Sequence, residues 1–440
     1  MLERCRTGMP GFTVVWIGQL VSVLASHMTQ FALTIWAWQV TGEATALALV
    51  ALAGYFPRIL LTPLAGALVD RWKRKRVLIL SDLAAGVGTI AVLSLHLVGS
   101  LEIWHLYAVA AFSGAFGSLQ VPAFAASIPL MLPKRHFARA NTMLPLVNSV
   151  ATVFSPMAAG TLLALTGIGT ILVIDVATFC FAVLMLFAIP IPQLPEERIA
   201  KTNERPLLQE CAFGIKYILC RPGLRSMVLL ASTRNMLLRA AVGVVPAMVL
   251  ARTGNSEIAL ATVMMQFGIG AIVGGAFVSF WGGPTRHKMR AVLVSGLVSS
   301  LCGTLVLGVG RSVLTWAAGA FLTTVMLPLS NGAGGAIWQT KIPPHMQGRL
   351  VAARIFAVSI GGAIAYPLAG TLADHVFEPL MQGQTTLART FSHLVGTGPG
   401  AGMSLMIALF ASLGVLASGV AFFHRPLREI ETILPDRDDI

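Results

Sequence analysis

Apolar runs of about twenty residues recur along this 440-residue chain, separated by short polar breaks. A helix of that length just crosses the hydrocarbon layer of a bilayer. Twelve such spans read out at roughly 11–38, 46–69, 77–98, 104–127, 140–165, 169–190, 223–250, 257–281, 290–309, 313–336, 349–373 and 402–423. A β-barrel would show short alternating segments instead. With 56% hydrophobic residues, 11% charged residues and a mean hydropathy of +0.79, the chain has too little charge to cover a soluble fold. The reading is an all-α integral membrane protein with twelve transmembrane helices. A first six-helix half covers 1–190, a linker 191–222, a second half 223–424 and a tail 425–440. The first run is too long for the core of a cleaved signal peptide and lacks a small-residue cleavage site, so it is read as span 1.

The net charge of +13 is unevenly placed. Of 31 Lys and Arg, only Arg252, Arg311 and Arg389 fall on one side, and Arg58, Arg234, Arg239 and Arg354 fall within spans. The rest share the opposite side. That asymmetry is the positive-inside rule, so both termini are expected in the cytoplasm. It argues against a nucleic-acid partner and for contact with membrane lipid. The five cysteines form no C-x-x-C, and neither a disulfide nor a metal site is expected.

The two halves echo each other at an offset near 210. Pro133 to Arg139 has the spacing of Pro343 to Arg349, each just before a long span. Gly160-Thr161-Leu162 in span 5 matches Gly370-Thr371-Leu372 in span 11, and Pro156 and Pro367 precede them. Such internal repeats mark two pseudo-symmetric six-helix halves. Within the linker, Pro206 opens an expected amphipathic surface helix over 207–219. The outer segment 376–400, with Phe377, Leu380 and Phe391, is read as an interfacial cap. Its Gly396-Thr397-Gly398-Pro399-Gly400 lacks the Lys-Ser/Thr and preceding strand of a phosphate loop.

Spans 2 and 3 are joined by Gly66-Ala67-Leu68-Val69-Asp70-Arg71-Trp72-Lys73-Arg74-Lys75-Arg76. An aspartate ending one helix can meet the N-terminus of another, where free N–H groups and the macrodipole favour an anion. Gly66 would permit close approach. The alternative is that Asp70 balances the cations beside it. The spacing G-x-L-x-D-R-x-x-R-K resembles the signature loop of the major facilitator superfamily, with Lys73 where that loop carries Gly. The resemblance implies the major facilitator fold. It also implies a gate made by Gly66, Asp70, Arg71, Arg74 and Lys75 against the start of span 11 at Gly348 and Arg349. Pro156 with Gly160 in span 5 resembles a reduced form of the superfamily's antiporter motif, with Ser155 and Ala159 in place of two glycines. Pro367 and Gly370 echo it in span 11. Kinks and close packing are its physical content.

Polar residues at membrane depth face a cavity or a partner. Span 1 carries Gln19, Ser22, Ser26 and Gln30 as one stripe, expected to line a cavity. Arg58, Arg239, Gln266 and Asn331 are further cavity candidates, the last two serving equally well as links between helices. Asp175 in span 6 is the first candidate for carrying a coupled proton, with a structural hydrogen bond as the alternative. His27 is either a second titrating group or a packing residue. Asp82 reads as close to the inner interface.

The Trp16–Ser22 block, the Gly54–Pro57 block, Ile174-Asp175 and Gln347-Gly348-Arg349 are similar to the macrolide-efflux and enterobactin-exporter branch. That likeness implies a secondary exporter of small amphipathic molecules in a bacterial cytoplasmic membrane. It would work by alternating access and proton antiport, with no cofactor and no obligatory protein partner. A lysophospholipid flippase, an importer or a non-transporting receptor are the competing readings. No nucleophile–base pair, metal set or cofactor motif suggests an enzyme.

Overall fold

The computed structural model describes residues 8–189, 214–284, 286–342, 344–382, 386–428 and 430–433. The secondary structure among them is helical. Twelve helical stretches are long and apolar enough to cross a membrane. Contacts divide the chain into two units. The first holds 1–40 and 50–207, and the second holds 41–49 and 208–440.

The first unit contains α1 (Met9–Thr41), most of α2 (Ala44–Arg71), α3 (Arg74–Val98), α4 (Ile103–Met131), α5 (Phe137–Thr166) and α6 (Ile168–Ala188). The turns explain the boundaries. α3 ends at Gly99, whose φ of 73° is left-handed and lets its N–H reach back to the His96 carbonyl. A reciprocal cap then opens α4: Glu102 accepts from the backbone at His105, and the His105 ring accepts from the Glu102 N–H. α3 packs against α4 and α6. Gly86 makes the second contact possible, since a Cβ there would sit 2.5 Å from the Phe179 ring. An apolar cluster including Phe12, Val77, Leu78, Ile128 and Leu186 closes one end of this unit.

The second unit contains α7 (Pro222–Gly243), α8 (Val245–Thr253), α9 (Glu257–Trp281), α10 (Lys288–Val298), α11 (Leu305–Val309), α12 (Val313–Val325), α13 (Leu327–Lys341), α14 (Pro344–Leu372), α15 (Glu378–Gln382), α16 (Thr386–Val395) and α17 (Ala401–Phe423). π-Helical turns link α10 to α11 and α14 to α15. Spans 7 and 10, expected as single helices, are each interrupted, at Val244 and Met326. Pro246 and Pro328 sit in the first turn of the helix that follows, where a missing N–H is tolerated.

The core of this unit gathers Leu224, Met289, Leu293, Ile337, Trp338 and Leu350. Leu427 and Ile430 join it, so the first part of the 425–440 tail is packed. Glu431 holds that part in place, accepting from the Met289 N–H at 2.8 Å and, through its backbone oxygen, from Lys341 Nζ at 2.6 Å. Of the expected linker helix, 214–219 is helical, and 207–213 lies outside the described residues.

The segment expected to form an interfacial cap meets the start of α17 at Glu378. Glu378 accepts from the N–H groups of Gly400, Gly402 and Met403 at 2.6, 3.1 and 3.3 Å, which satisfies orphan donors of that helix. Arg252 donates to the carbonyls of Val395 and Gly400, and Arg311 to those of Ser392 and His393. Cations at the carbonyl end of α16 have the favourable sign.

Candidate functional site

Two carboxylates are buried inside the first unit. Asp82 on α3 is 4% exposed. It accepts from Gln19 Nε2 at 2.6 Å and from Gln120 Nε2 at 2.9 Å, and Gln120 also donates to Gln19 Oε1 at 2.9 Å. Asp175 on α6 is 2% exposed and accepts from Ser26 at 3.0 Å and Thr89 at 2.9 Å. The two stations are built by the same helix pair. Gln19 and Ser26 are seven residues apart on α1, as are Asp82 and Thr89 on α3. Seven residues is two turns, so one face of each helix serves both stations, about 10 Å apart along the axis.

All of these hydrogen-bond donors are neutral amides and hydroxyls. A carboxylate taken from water without a cation is costly to keep ionised. The arrangement can therefore hold a proton on either acid.

Gln19 and Ser26, expected to line a cavity, are thus committed to carboxylates inside the six-helix unit. Each buried oxygen needs a donor, and the span 1 stripe supplies it. Of the same stripe, Ser22 is half-buried and Gln30 exposed. His27 is half-buried, within electrostatic reach of Arg58, which is itself exposed. Asp82, read from the sequence as close to the inner interface, is buried among these helices, eight residues into α3. Its signal was a polar triad split over spans 1, 3 and 4.

In the second unit, Arg239 Nη1 donates to the Tyr366 hydroxyl at 3.0 Å. Gln266 is half-buried on α9. Asn331 is exposed and lines a cavity of about 300 Å³ within this unit.

The sequence model of the Major Facilitator Superfamily matches residues 15–366. The chain belongs to the Major Facilitator Superfamily. It is similar to Macrolide efflux protein A of Streptococcus pyogenes, at 22% identity over 384 residues, covering 85% of this chain and 92% of that protein. It is also similar to the Enterobactin exporter EntS of Salmonella choleraesuis, at 25% identity, covering 81% and 84%. Among solved structures, a bacterial homolog of the human lysosomal transporter Spinster superposes with a TM-score of 0.65 at 14% identity, covering 96% and 98%. A POT family transporter superposes with a TM-score of 0.69 at 10% identity, covering 96% and 98%. These structural likenesses show the fold. The chain is a multi-pass membrane transporter of this superfamily, with efflux proteins among its relatives.

For a superfamily member, the signature loop is the natural place to look for a gate. Gly66, Asp70 and Arg71 lie in α2, and Gly348 and Arg349 in α14, but their side chains lie outside the described residues. Arg74 is half-buried at the start of α3, and Lys75 Nζ donates to the carbonyls of Phe187 and Ile189 at 3.2 and 3.0 Å. Lys75 thus holds the carbonyl end of α6.

Pro156 and Gly160 are buried in α5, which continues helical through the proline. Ser155, standing where the antiporter motif has glycine, donates to the Leu24 carbonyl at 2.8 Å and ties α5 to α1. Pro367 is half-buried within α14.

Gly370 and a residue not singled out from the sequence, Asp374, act together in the second unit. Asp374 accepts from the N–H groups of Ala44 and Thr45 at 3.0 and 2.7 Å and from the Thr45 hydroxyl at 2.6 Å. A Cβ on Gly370 would fall 2.6 Å from the Thr45 Cα. Gly370-Thr371-Leu372-Ala373-Asp374 repeats the G-x-L-x-D of Gly66 to Asp70. That repeat was the readable signal.

Proposed function

We propose that this transporter exports small amphipathic molecules across the bacterial cytoplasmic membrane by alternating access, driven by inward proton movement, with both termini in the cytoplasm. The observation that carries the proton coupling is the pair of buried carboxylates, Asp82 and Asp175, each bonded by neutral groups alone among the described residues. A proton taken up by either acid removes a buried charge, which shifts the relative stability of two conformations by a large differential term. Export direction and amphipathic cargo are supported by the likeness to Macrolide efflux protein A and to the Enterobactin exporter EntS.

The test is accumulation of labelled macrolide, siderophore and lysolipid in inside-out vesicles, with and without a proton gradient. Gradient-dependent accumulation of one class is expected, falling at least tenfold in Asp175→Asn and in Asp82→Asn. Accumulation that ignores the gradient would remove proton coupling. No accumulation of any class would favour a receptor role on the same fold.

A further inference from the structure

The cavity in the second unit carries a different chemistry from the first unit's acids. It lies among α7, α10, α13, α14 and α17, and Arg234 and Arg354 both face it. Arg234 is twelve residues into α7 and Arg354 ten residues into α14, so each stands about 15–18 Å from the start of its helix. Among the described residues, no acidic one lines the cavity. Arg234 donates Nη1 to the Val292 carbonyl at 3.2 Å. Its guanidinium lies across Gly296, where a Cβ would come within 2.2 Å of Cζ. The guanidinium of Arg354 stands 5.2 Å from the centre of the Trp338 ring.

Trp338 also lines the cavity, is 2% exposed, and its indole Nε1 meets no hydrogen-bond partner among the described residues. A buried donor of that kind calls for an acceptor. Two guanidiniums of like charge, held by one carbonyl and one aromatic face, share this cavity, and most of their forked N–H donors meet no acceptor among the described residues. A planar or tetrahedral oxyanion fits both demands: it neutralises the pair and accepts from several N–H groups at once. The remaining lining includes Met227, Leu230, Leu238 and Phe410, which suit an alkyl chain. At about 300 Å³, the cavity is at the small end of ligand sites.

We infer that this cavity binds the oxyanion headgroup of a single-tailed amphiphile, with Arg234, Arg354 and the Trp338 N–H as its donors. That the occupant is cargo rests on the export reading; that it binds does not. Binding is therefore measured on the purified full-length chain in dodecyl maltoside, with no gradient. The probes are dodecyl phosphate, dodecyltrimethylammonium and inorganic phosphate, titrated by calorimetry. Dodecyl phosphate is expected to bind at least tenfold more tightly than the cation of equal chain length.

Arg234→Gln and Arg354→Gln should each weaken that binding roughly ten- to hundredfold, since a charge-assisted hydrogen bond is lost. Arg354→Lys should retain part of it. Gly296→Ala displaces the Arg234 guanidinium without removing its charge, and should weaken binding even if Arg234→Gln aggregates on size exclusion. Equal affinity for the two dodecyl compounds would overturn the site, as would an affinity for dodecyl phosphate unchanged in Arg354→Gln and Gly296→Ala. Displacement of dodecyl phosphate by millimolar inorganic phosphate would support the site with free oxyanions as ligands too. Resistance to displacement would support it with the amphiphile as its ligand. A negative result leaves the vesicle experiment standing, and failure of transport leaves the binding result standing.

Discussion

Gly114 lets α4 touch α2 backbone to backbone. A Cβ there would fall 2.1 Å from the Gly54 carbonyl oxygen, a contact no rotamer can relieve. Gly114→Ala should therefore push the two helices apart and cost about 1–3 kcal/mol, read as a lowered midpoint of thermal unfolding in detergent. Gly117, three residues on, has open space around its Cβ position, and Gly117→Ala should leave the midpoint in place. Half of this contact was readable. Gly54 stands in the Gly54–Pro57 block that resembles the efflux branch, whereas Gly114 sits in an apolar run that gives no hint of what it meets. The same limit applies to Asp82. Hydrophobic periodicity reports on one helix at a time, and the Gln19–Asp82–Gln120 triad needs three. Asp175 stood out because it is an acid in a long apolar span, a property of one helix alone.

At the scale of the element, the twelve spans were legible because bilayer thickness fixes helix length, and most described boundaries depart from the expected ones by five residues or fewer. The breaks at Val244 and Met326 were missed because a hydropathy window averages across them. Pro246 and Pro328 were the local marks. Asp374 was missed for a subtler reason. The full cationic loop after Asp70 dominates the sequence signal, and the G-x-L-x-D that both aspartates share is masked by the loss of cations after Asp374. Its side chain satisfies two of the orphan N–H groups of α2. Asp374→Ala should cost about 0.5–2 kcal/mol of stability, the range for removing a helix N-cap. Hydrogen exchange should show the loss as faster exchange at Ala44 and Thr45. Unchanged exchange there would mean water or another side chain caps the helix equally well.

At the scale of the whole molecule, the two units hold different charged groups among the described residues. The first unit holds Asp82 and Asp175, and the second holds the arginine-lined cavity. Near-repetition of sequence between halves has thus not produced repetition of chemistry. The proposed proton step and the proposed anion step can be separated by mutation. Asparagine keeps the shape of aspartic acid and remains neutral, so Asp175→Asn imitates a permanently protonated site. A transporter so altered should still exchange labelled for unlabelled cargo across the vesicle membrane at equilibrium, because exchange requires the conformational cycle but no net proton movement. Uphill accumulation driven by the gradient should fall to background. Measuring both on the cargo found by the vesicle panel separates coupling from structure. If exchange collapses together with accumulation, the carboxylate is needed chiefly for its bonds to Ser26 and Thr89. Asp175 would then be a packing residue, and coupling would fall to Asp82.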